Sequence, residues 1–161
     1  MIKKYITKSY RQTQKLGEKL AKEFLALRRN QGENSHAAVF GLSGNLGGGK
    51  TTFLQGFAKG FGVKNKILSP TFVIMKKFQI PPIPKNRRPS DLWYKHFYHF
   101  DCYRFDKPGD ILELGWKAII SNPKNIVAVE WPGKIKKVLP KSTIFINFKF
   151  INTKTREIRL T

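Results

Sequence analysis

Acidic residues are scarce in this chain. Asp and Glu number 10 against 31 Lys and Arg in 161 residues, a formal net charge of +21. Such an excess favours polyanionic partners such as RNA, DNA or an acidic protein surface. The plainer alternative is a coat of solvated lysines, and salt-dependent RNA binding separates the two. Cysteine is nearly absent. Cys102 stands alone, so an internal disulfide is excluded, and three scattered histidines offer no obvious metal cluster with it. A reducing, cytoplasmic location is the expectation. Long apolar runs are missing, so no segment is expected to span a bilayer and no membrane role follows. The start, Met1 to Lys8, carries charge but no apolar core of a signal peptide. Repeats are lacking too. Hydrophobic residues nevertheless make up 40% of the chain, which excludes a disordered composition. A chain of this size buries about 70% of its unfolded surface, enough for one core, so residues 1–161 read as a single domain.

What is present is organised around Gly44-Asn45-Leu46-Gly47-Gly48-Gly49-Lys50-Thr51-Thr52. The run fits G-x-x-x-x-G-K-[ST], the phosphate-binding loop. A triphosphate carries several negative charges, so the loop must turn many backbone N–H groups inward, and glycine permits the positive φ this requires. In this pattern Lys50 reaches the β- and γ-phosphates, and the Thr51 hydroxyl binds Mg²⁺. The following helix adds the positive end of its dipole. The setting agrees. Ala37 to Leu42 is a short apolar run that reads as a buried strand, and Phe53, Leu54, Phe57 and Phe61 recur at helical spacing after the loop. The alternative is a glycine-rich turn without a ligand.

The remaining chain supplies an α/β pattern. Tyr5 to Thr7 reads as an edge strand. From Thr13 onward Leu16, Leu20, Phe24 and Leu27 fall on one helical face, suited to packing on a sheet. Arg28 to Ser35 reads as a polar linker. Gly62 is a helix stop. Ser69-Pro70-Thr71-Phe72 leads into an expected strand at Val73 to Met75. The Thr71 hydroxyl is either a γ-phosphate or Mg²⁺ sensor of the switch-loop kind or a turn residue. Ile80 to Asp91 holds four prolines and forms an exposed basic loop between two strands. Leu92 to Asp101 and Ile126 to Glu130 are apolar strands that each end in a carboxylate. Either could present its carboxylate to Mg²⁺ or to the attacking water, and composition alone does not choose between them or exclude a structural ion pair. His96 and His99 lack metal-ligand spacing and read as packed or surface aromatics. Lys107 to Asp110 is a turn. Ile111 to Leu114 and Trp116 to Ile120 are short helical pieces broken at Gly115, and Pro132 to Val138 is a basic helical turn. Ser142 to Ile151 alternates as a strand, Asn152 to Thr155 turns, and Arg156 to Leu160 returns as the last strand.

Taken in order, these motifs resemble the small ATPase family TsaE, also called YjeE. The matching residues are Thr13-Gln14-Lys15-Leu16-Gly17, Gly44 to Thr52, Ser69-Pro70-Thr71-Phe72, His99-Phe100-Asp101-Cys102-Tyr103-Arg104, Glu113-Leu114-Gly115 and Glu130-Trp131-Pro132. The resemblance covers nearly the whole chain. It implies an α/β fold, a phosphate-loop NTPase three-layer sandwich with a mixed, mostly parallel sheet flanked by helices. It implies binding of ATP and Mg²⁺ and slow ATP hydrolysis, in service of threonylcarbamoylation of adenosine in tRNA. The implied partners are the threonylcarbamoyl transferase subunit (TsaD-like) and its inactive paralogue (TsaB-like), with tRNA reached through the basic surface as a further possibility. Carried over by motif, Asn45, Leu46, Gly47, Gly48, Gly49, Lys50, Thr51 and Thr52 hold the phosphates, while Thr51 and Glu130 hold Mg²⁺. Asp101, Glu130 and Thr71 serve hydrolysis, and Tyr10 to Thr13 lies near the base. Trp131 supports the site by packing or is a plain core residue. The chain also departs from the family. Asn45 stands where Asp is usual, Gly48 replaces Ala, Gly133-Lys134 follow Trp131-Pro132 in place of an acidic residue, and the Pro81 to Asp91 loop is long.

Two other readings use the same features. A small-molecule or nucleoside kinase shares the loop but needs an acceptor site and an arginine-rich lid, and Arg87-Arg88 in a proline-rich loop makes a poor lid. A basic nucleic-acid-binding module with a vestigial nucleotide site would account for the charge and for Asn45.

Overall fold

The computed structural model describes residues 3–28, 35–68, 73–82 and 94–161. Seven strands form one sheet in the order β1-β7-β6-β2-β5-β4-β3. They are β1 (Lys3–Thr7), β2 (Ala38–Ser43), β3 (Met75–Gln79), β4 (His96–Asp101), β5 (Asn125–Glu130), β6 (Ile144–Phe150) and β7 (Arg156–Leu160). The central strands β6, β2, β5 and β4 are parallel, whereas β3, β7 and β1 each pair antiparallel with a neighbour. Only β3 and β7 oppose the common direction, so the sheet is mixed and mostly parallel by strand direction.

Strands β2, β4 and β5 bury both faces, and alternation sorts their residues into two cores, whereas β6 buries Ile146 and Phe148 on one face and exposes Asn147 and Lys149 on the other. Phe40 and Leu42 of β2, Phe97 of β4, Ala128 of β5 and Ile146 of β6 share one core with α1 (Tyr10–Arg28) and α2 (Lys50–Gly60). Val39, Tyr98, Phe100, Val127 and Val129 face the other way. They meet the short 3₁₀ helix Pro108–Leu114, α3 (Trp116–Ser121) and the 3₁₀ turn Pro132–Val138. The result is three layers.

On the first face α1 and α2 lie unusually close. A side-chain carbon added at Gly17 would sit 2.3 Å from the Phe53 carbonyl oxygen. The buried stripe of α1 is Thr13, Leu16, Gly17, Leu20 and Ala21, with Phe24 partly buried. Leu27, expected on that stripe, is exposed. Below α2, Phe53, Phe57 and Phe61 stack at one-turn intervals, with Phe57 and Phe61 edge to face at 4.9 Å. Gly62, with φ +93°, ends this helix as expected, and Gly115, with φ +75°, separates the two short helical pieces.

One strand is displaced from its expected place. The apolar run Val73 to Met75 is mostly a lead-in, and pairing runs from Met75 to Gln79 through Lys76 and Lys77. β3 is the outer strand of the sheet, where lysines are tolerated because one edge has no strand partner among the described residues. Thr71 with its Ser69 to Phe72 segment, and the proline-rich loop from residue 83 to 93, lie outside the described residues. No helix among the described residues is long and apolar enough to cross a membrane.

Candidate nucleotide site

The parallel strands β2, β4 and β5 end at one edge of the sheet, and the candidate site sits there, as open α/β sheets dictate. After β2 the chain turns through Gly44 to Gly49 and enters α2 at Lys50. Gly44, Gly47 and Gly49 have φ of +142°, +73° and +95°, which an L side chain would adopt only under strain. Gly44 is also held tightly, since a side chain there would strike the Phe148 carbonyl oxygen at 2.4 Å. At Gly47 the equivalent space is open.

The loop borders a cavity of about 250 Å³ lined by residues 46–52 together with Asp101, Tyr103, Glu130, Trp131 and Arg156. Lys50 is buried, and its Nζ donates to the Gly44 carbonyl at 2.6 Å and the Asn45 carbonyl at 3.1 Å. Burial pushes its pKa below the ordinary lysine value, against the pull of the nearby Glu130 and Asp101 charges. The same Nζ stands 4.4 Å from the centre of the Trp131 ring, a cation–π contact. Trp131 achieves this with φ 59° and ψ 49°, although it is bulky and precedes proline. That conformation costs roughly 1–3 kcal/mol and points to a site where position matters more than local ease.

The carboxylates come from neighbouring parallel strands, where Asp101 and Glu130 are register partners. Glu130 is buried. Its Oε1 accepts from the Thr51 hydroxyl at 3.3 Å and lies 2.9 Å from His99 Nε2. His99 is completely buried, its Nδ1 has no partner among the described residues, and it orients Glu130. The sequence offered it only as a packed or surface aromatic. The half-buried Asp101 accepts from the Tyr103 N–H at 3.1 Å. Burial raises its pKa above the usual aspartate value, opposed by that hydrogen bond and reinforced by Glu130.

Of the residues expected at the site, Leu46 to Thr52, Asp101 and Glu130 line this one cavity. Asn45 does not. It borders an opening on the far side of Trp131, with Pro132, Gly133 and Lys134, and meets the site through its carbonyl, which accepts from Lys50 Nζ at 3.1 Å and from the Gly48 N–H at 3.0 Å. Tyr10 and Thr13 line a smaller cleft of about 60 Å³ next door, with Ser9, Gly49, Thr52, Thr153, Lys154 and Arg156. Tyr10 is exposed, whereas the Thr13 hydroxyl is committed to Thr7 Oγ1 at 2.8 Å and the Ser9 carbonyl at 3.2 Å. Arg156 and Tyr103 were not singled out as site residues from the sequence; each arrives from an element distant in the chain.

Among the described residues no three His, Cys, Asp or Glu side chains gather into a metal cluster. A hard divalent cation suits what is here: a hydroxyl, one buried carboxylate, and room for phosphate oxygens and water.

A glycine loop leading into a helix N-terminus, a buried lysine and an adjacent Thr–Glu pair define a phosphate-loop protein of the α/β class. The comparisons narrow this. The family model for "Threonylcarbamoyl adenosine biosynthesis protein TsaE" matches residues 7–158. The chain is 33% identical over 116 residues to the tRNA threonylcarbamoyladenosine biosynthesis protein TsaE of Rickettsia typhi, covering 71% of each. It is 33% identical over 123 residues to the TsaE of Bacillus subtilis, covering 76% of this chain and 68% of that one. The crystal structure of Bacillus subtilis YdiB superposes with a TM-score of 0.68 at 26% identity, covering 99% of this chain and 84% of that one. The chain belongs to the TsaE family, whose name ties it to threonylcarbamoyladenosine biosynthesis in tRNA.

Proposed function

We propose that this protein binds ATP with Mg²⁺ and hydrolyses it slowly as an accessory subunit of tRNA threonylcarbamoylation. One observation carries the reading: Lys50, Thr51, Asp101 and Glu130 converge on a single cavity at the glycine loop of a TsaE-family chain. The loop amides from Leu46 to Thr52 and the Lys50 ammonium hold the phosphates. Lys50 then exchanges its two loop carbonyls for phosphate oxygens, which gain more from a charged donor. Thr51 and Glu130 hold Mg²⁺, which when bound neutralises phosphate charge. His99 keeps the Glu130 carboxylate aimed at the Thr51 hydroxyl.

Asp101 orients the attacking water and accepts its proton, a role favoured by a pKa raised through burial. Thr71, outside the described residues, is the candidate sensing hydroxyl on the strength of its Ser69-Pro70-Thr71-Phe72 motif. Tyr10 and Thr13 flank the nucleoside cleft. The protein acts on the transferase subunit and its inactive paralogue in the cytoplasm, as one domain, and its basic surface faces the RNA-bearing complex.

The test is phosphate release from ATP with Mg²⁺ and no added acceptor, for the protein alone and with its two partners. Magnesium-dependent release, faster with partners, is expected. Release only with an added acceptor would mean a kinase. Tight ATP binding with no turnover in either setting would mean a vestigial site.

A further inference from the structure

Lys50 is held from behind. Its Nζ donates to the Gly44 and Asn45 carbonyls and stands over the Trp131 ring. Those same three residues form one side of a second opening, of about 350 Å³, which Ser43, Pro132, Gly133 and Lys134 complete. Trp131 lines both this opening and the phosphate cavity. The opening thus backs onto the groups that fix the lysine, and the nucleotide chemistry above makes no use of it.

Its chemistry is one-sided. Lys134 and Asn45 are exposed, and their side chains, with that of Ser43, have no hydrogen-bond or ionic partner among the described residues. No carboxylate of the described residues lines the opening, since Asp101 and Glu130 line the phosphate cavity instead. Entry is clear, because no atom of the described residues lies within 4 Å of where a side chain at Gly133 would begin. Trp131 and Pro132 add an apolar wall.

One cation beside an apolar wall suits one kind of occupant. A nucleic-acid backbone is gripped by a row of cations. Lys136 and Lys137 stand exposed on the same 3₁₀ turn, yet neither lines the opening. A single carboxylate on a protein segment, with aliphatic carbon to set against Pro132 and Trp131, matches what is there. The net charge of +21 acts in the same sense, because it draws in a protein partner by its acidic residues.

We propose that the opening beyond Trp131 docks an acidic segment of a partner protein, with an Asp or Glu side chain of that segment on Lys134. The inference rests on the accessory-subunit reading above and gives that partnership a contact behind Lys50. A segment seated there bears on Gly44, Asn45 and Trp131, and through them on the lysine that leaves its two carbonyls for phosphate.

The experiment titrates wild type, Lys134→Glu, Gly133→Leu and Lys136→Glu with the transferase subunit and its paralogue together, and separately with tRNA alone. It also records the melting temperature of each and its phosphate release with and without the two proteins. Lys134→Glu is expected to weaken the proteins about tenfold or more and to remove their effect on phosphate release, leaving release by the protein alone unchanged. Gly133→Leu narrows the opening without altering charge and is expected to weaken the proteins too. Lys136→Glu makes the same charge change outside the opening and is expected to cost less than about threefold. Wild-type affinity for the proteins in either Lys134→Glu or Gly133→Leu overturns the proposal. So does an equal loss in Lys134→Glu and Lys136→Glu, which reports overall charge. A loss confined to tRNA overturns it in favour of RNA. If Lys134→Glu does not fold, Gly133→Leu decides alone. Wild type that binds neither protein sinks the accessory-subunit reading itself, and this placement with it.

Discussion

Gly56→Ala should damage both stability and nucleotide binding, although alanine is the better helix former. The Gly56 side-chain position lies 1.8 Å from the Gln14 carbonyl oxygen and 2.6 Å from the Gln14 carbonyl carbon. Both are backbone atoms of α1, so no rotamer change can move them aside. The helices must part by about an ångström or more, which places the cost at the upper end of overpacking, about 3 kcal/mol. Alanine returns about 1 kcal/mol through helix propensity. The net loss is about 2 kcal/mol, a fall in Tm of about 4–8 °C for a chain of this size. Denaturant unfolding measures the first figure and a thermal scan the second. α1 carries Tyr10 and Thr13 to the small cleft while α2 carries Lys50 and Thr51, so parting them also widens the gap between the two chambers. ATP affinity should therefore fall with stability. Gly109→Ala is the control: no atom of the described residues lies within 4 Å of its side-chain position, so a change within about 0.5 kcal/mol is expected. A Gly56→Ala protein as stable as wild type would refute the close helix contact and the coupling drawn from it.

Other changes probe the chemistry directly. Lys50→Ala removes the buried cation at the loop and should weaken ATP by about tenfold or more, read by titration. Glu130→Gln and Asp101→Asn should lower phosphate release more than ATP affinity, and wild-type release in both would mean the carboxylates are misassigned. Asp101→Asn should also raise Tm at neutral pH. A carboxyl whose pKa is raised on folding stabilises the fold while protonated and loses that contribution as pH rises through its folded value, so the gain should shrink as pH falls through the carboxylate range. Cys102 is fully buried, and burial pushes its pKa up to about 12, with Asp101 adding to the shift. Thiol reagents near pH 8 should label it slowly in the native protein and rapidly in denaturant. Fast native labelling would contradict the packing of the second core.

The phosphate loop was legible because its chemistry is written in nine consecutive residues, the strand ending at Glu130 because Ile126 to Val129 is unbroken apolar, and the strand ending at Asp101 because strand-forming aromatics dominate it despite Lys95, His96 and His99. What escaped the sequence was set by topology. His99 meets Glu130 only because β4 and β5 lie side by side with His99 opposite Ala128, which puts both side chains toward α2. Arg156 reaches Gly49 only because the β6–β7 hairpin folds back beside β2. Neither pairing leaves a trace in local spacing. β3 was displaced because its lysines break the apolar pattern, and only its edge position permits them. Asn45 matched a loop motif position, but the loop turns its side to the opening beyond Trp131.

The central claim is that the turn between β2 and α2 wraps the phosphate tail of magnesium-bound ATP. A crystal structure with Mg²⁺ and a non-hydrolysable ATP analogue tests it most directly. The expected result is phosphate oxygens on the amides of residues 46–52 and on Lys50, with the metal within bonding distance of the Thr51 hydroxyl. An analogue seated elsewhere, or a loop that stays closed by Lys50 at saturating nucleotide, would contradict it.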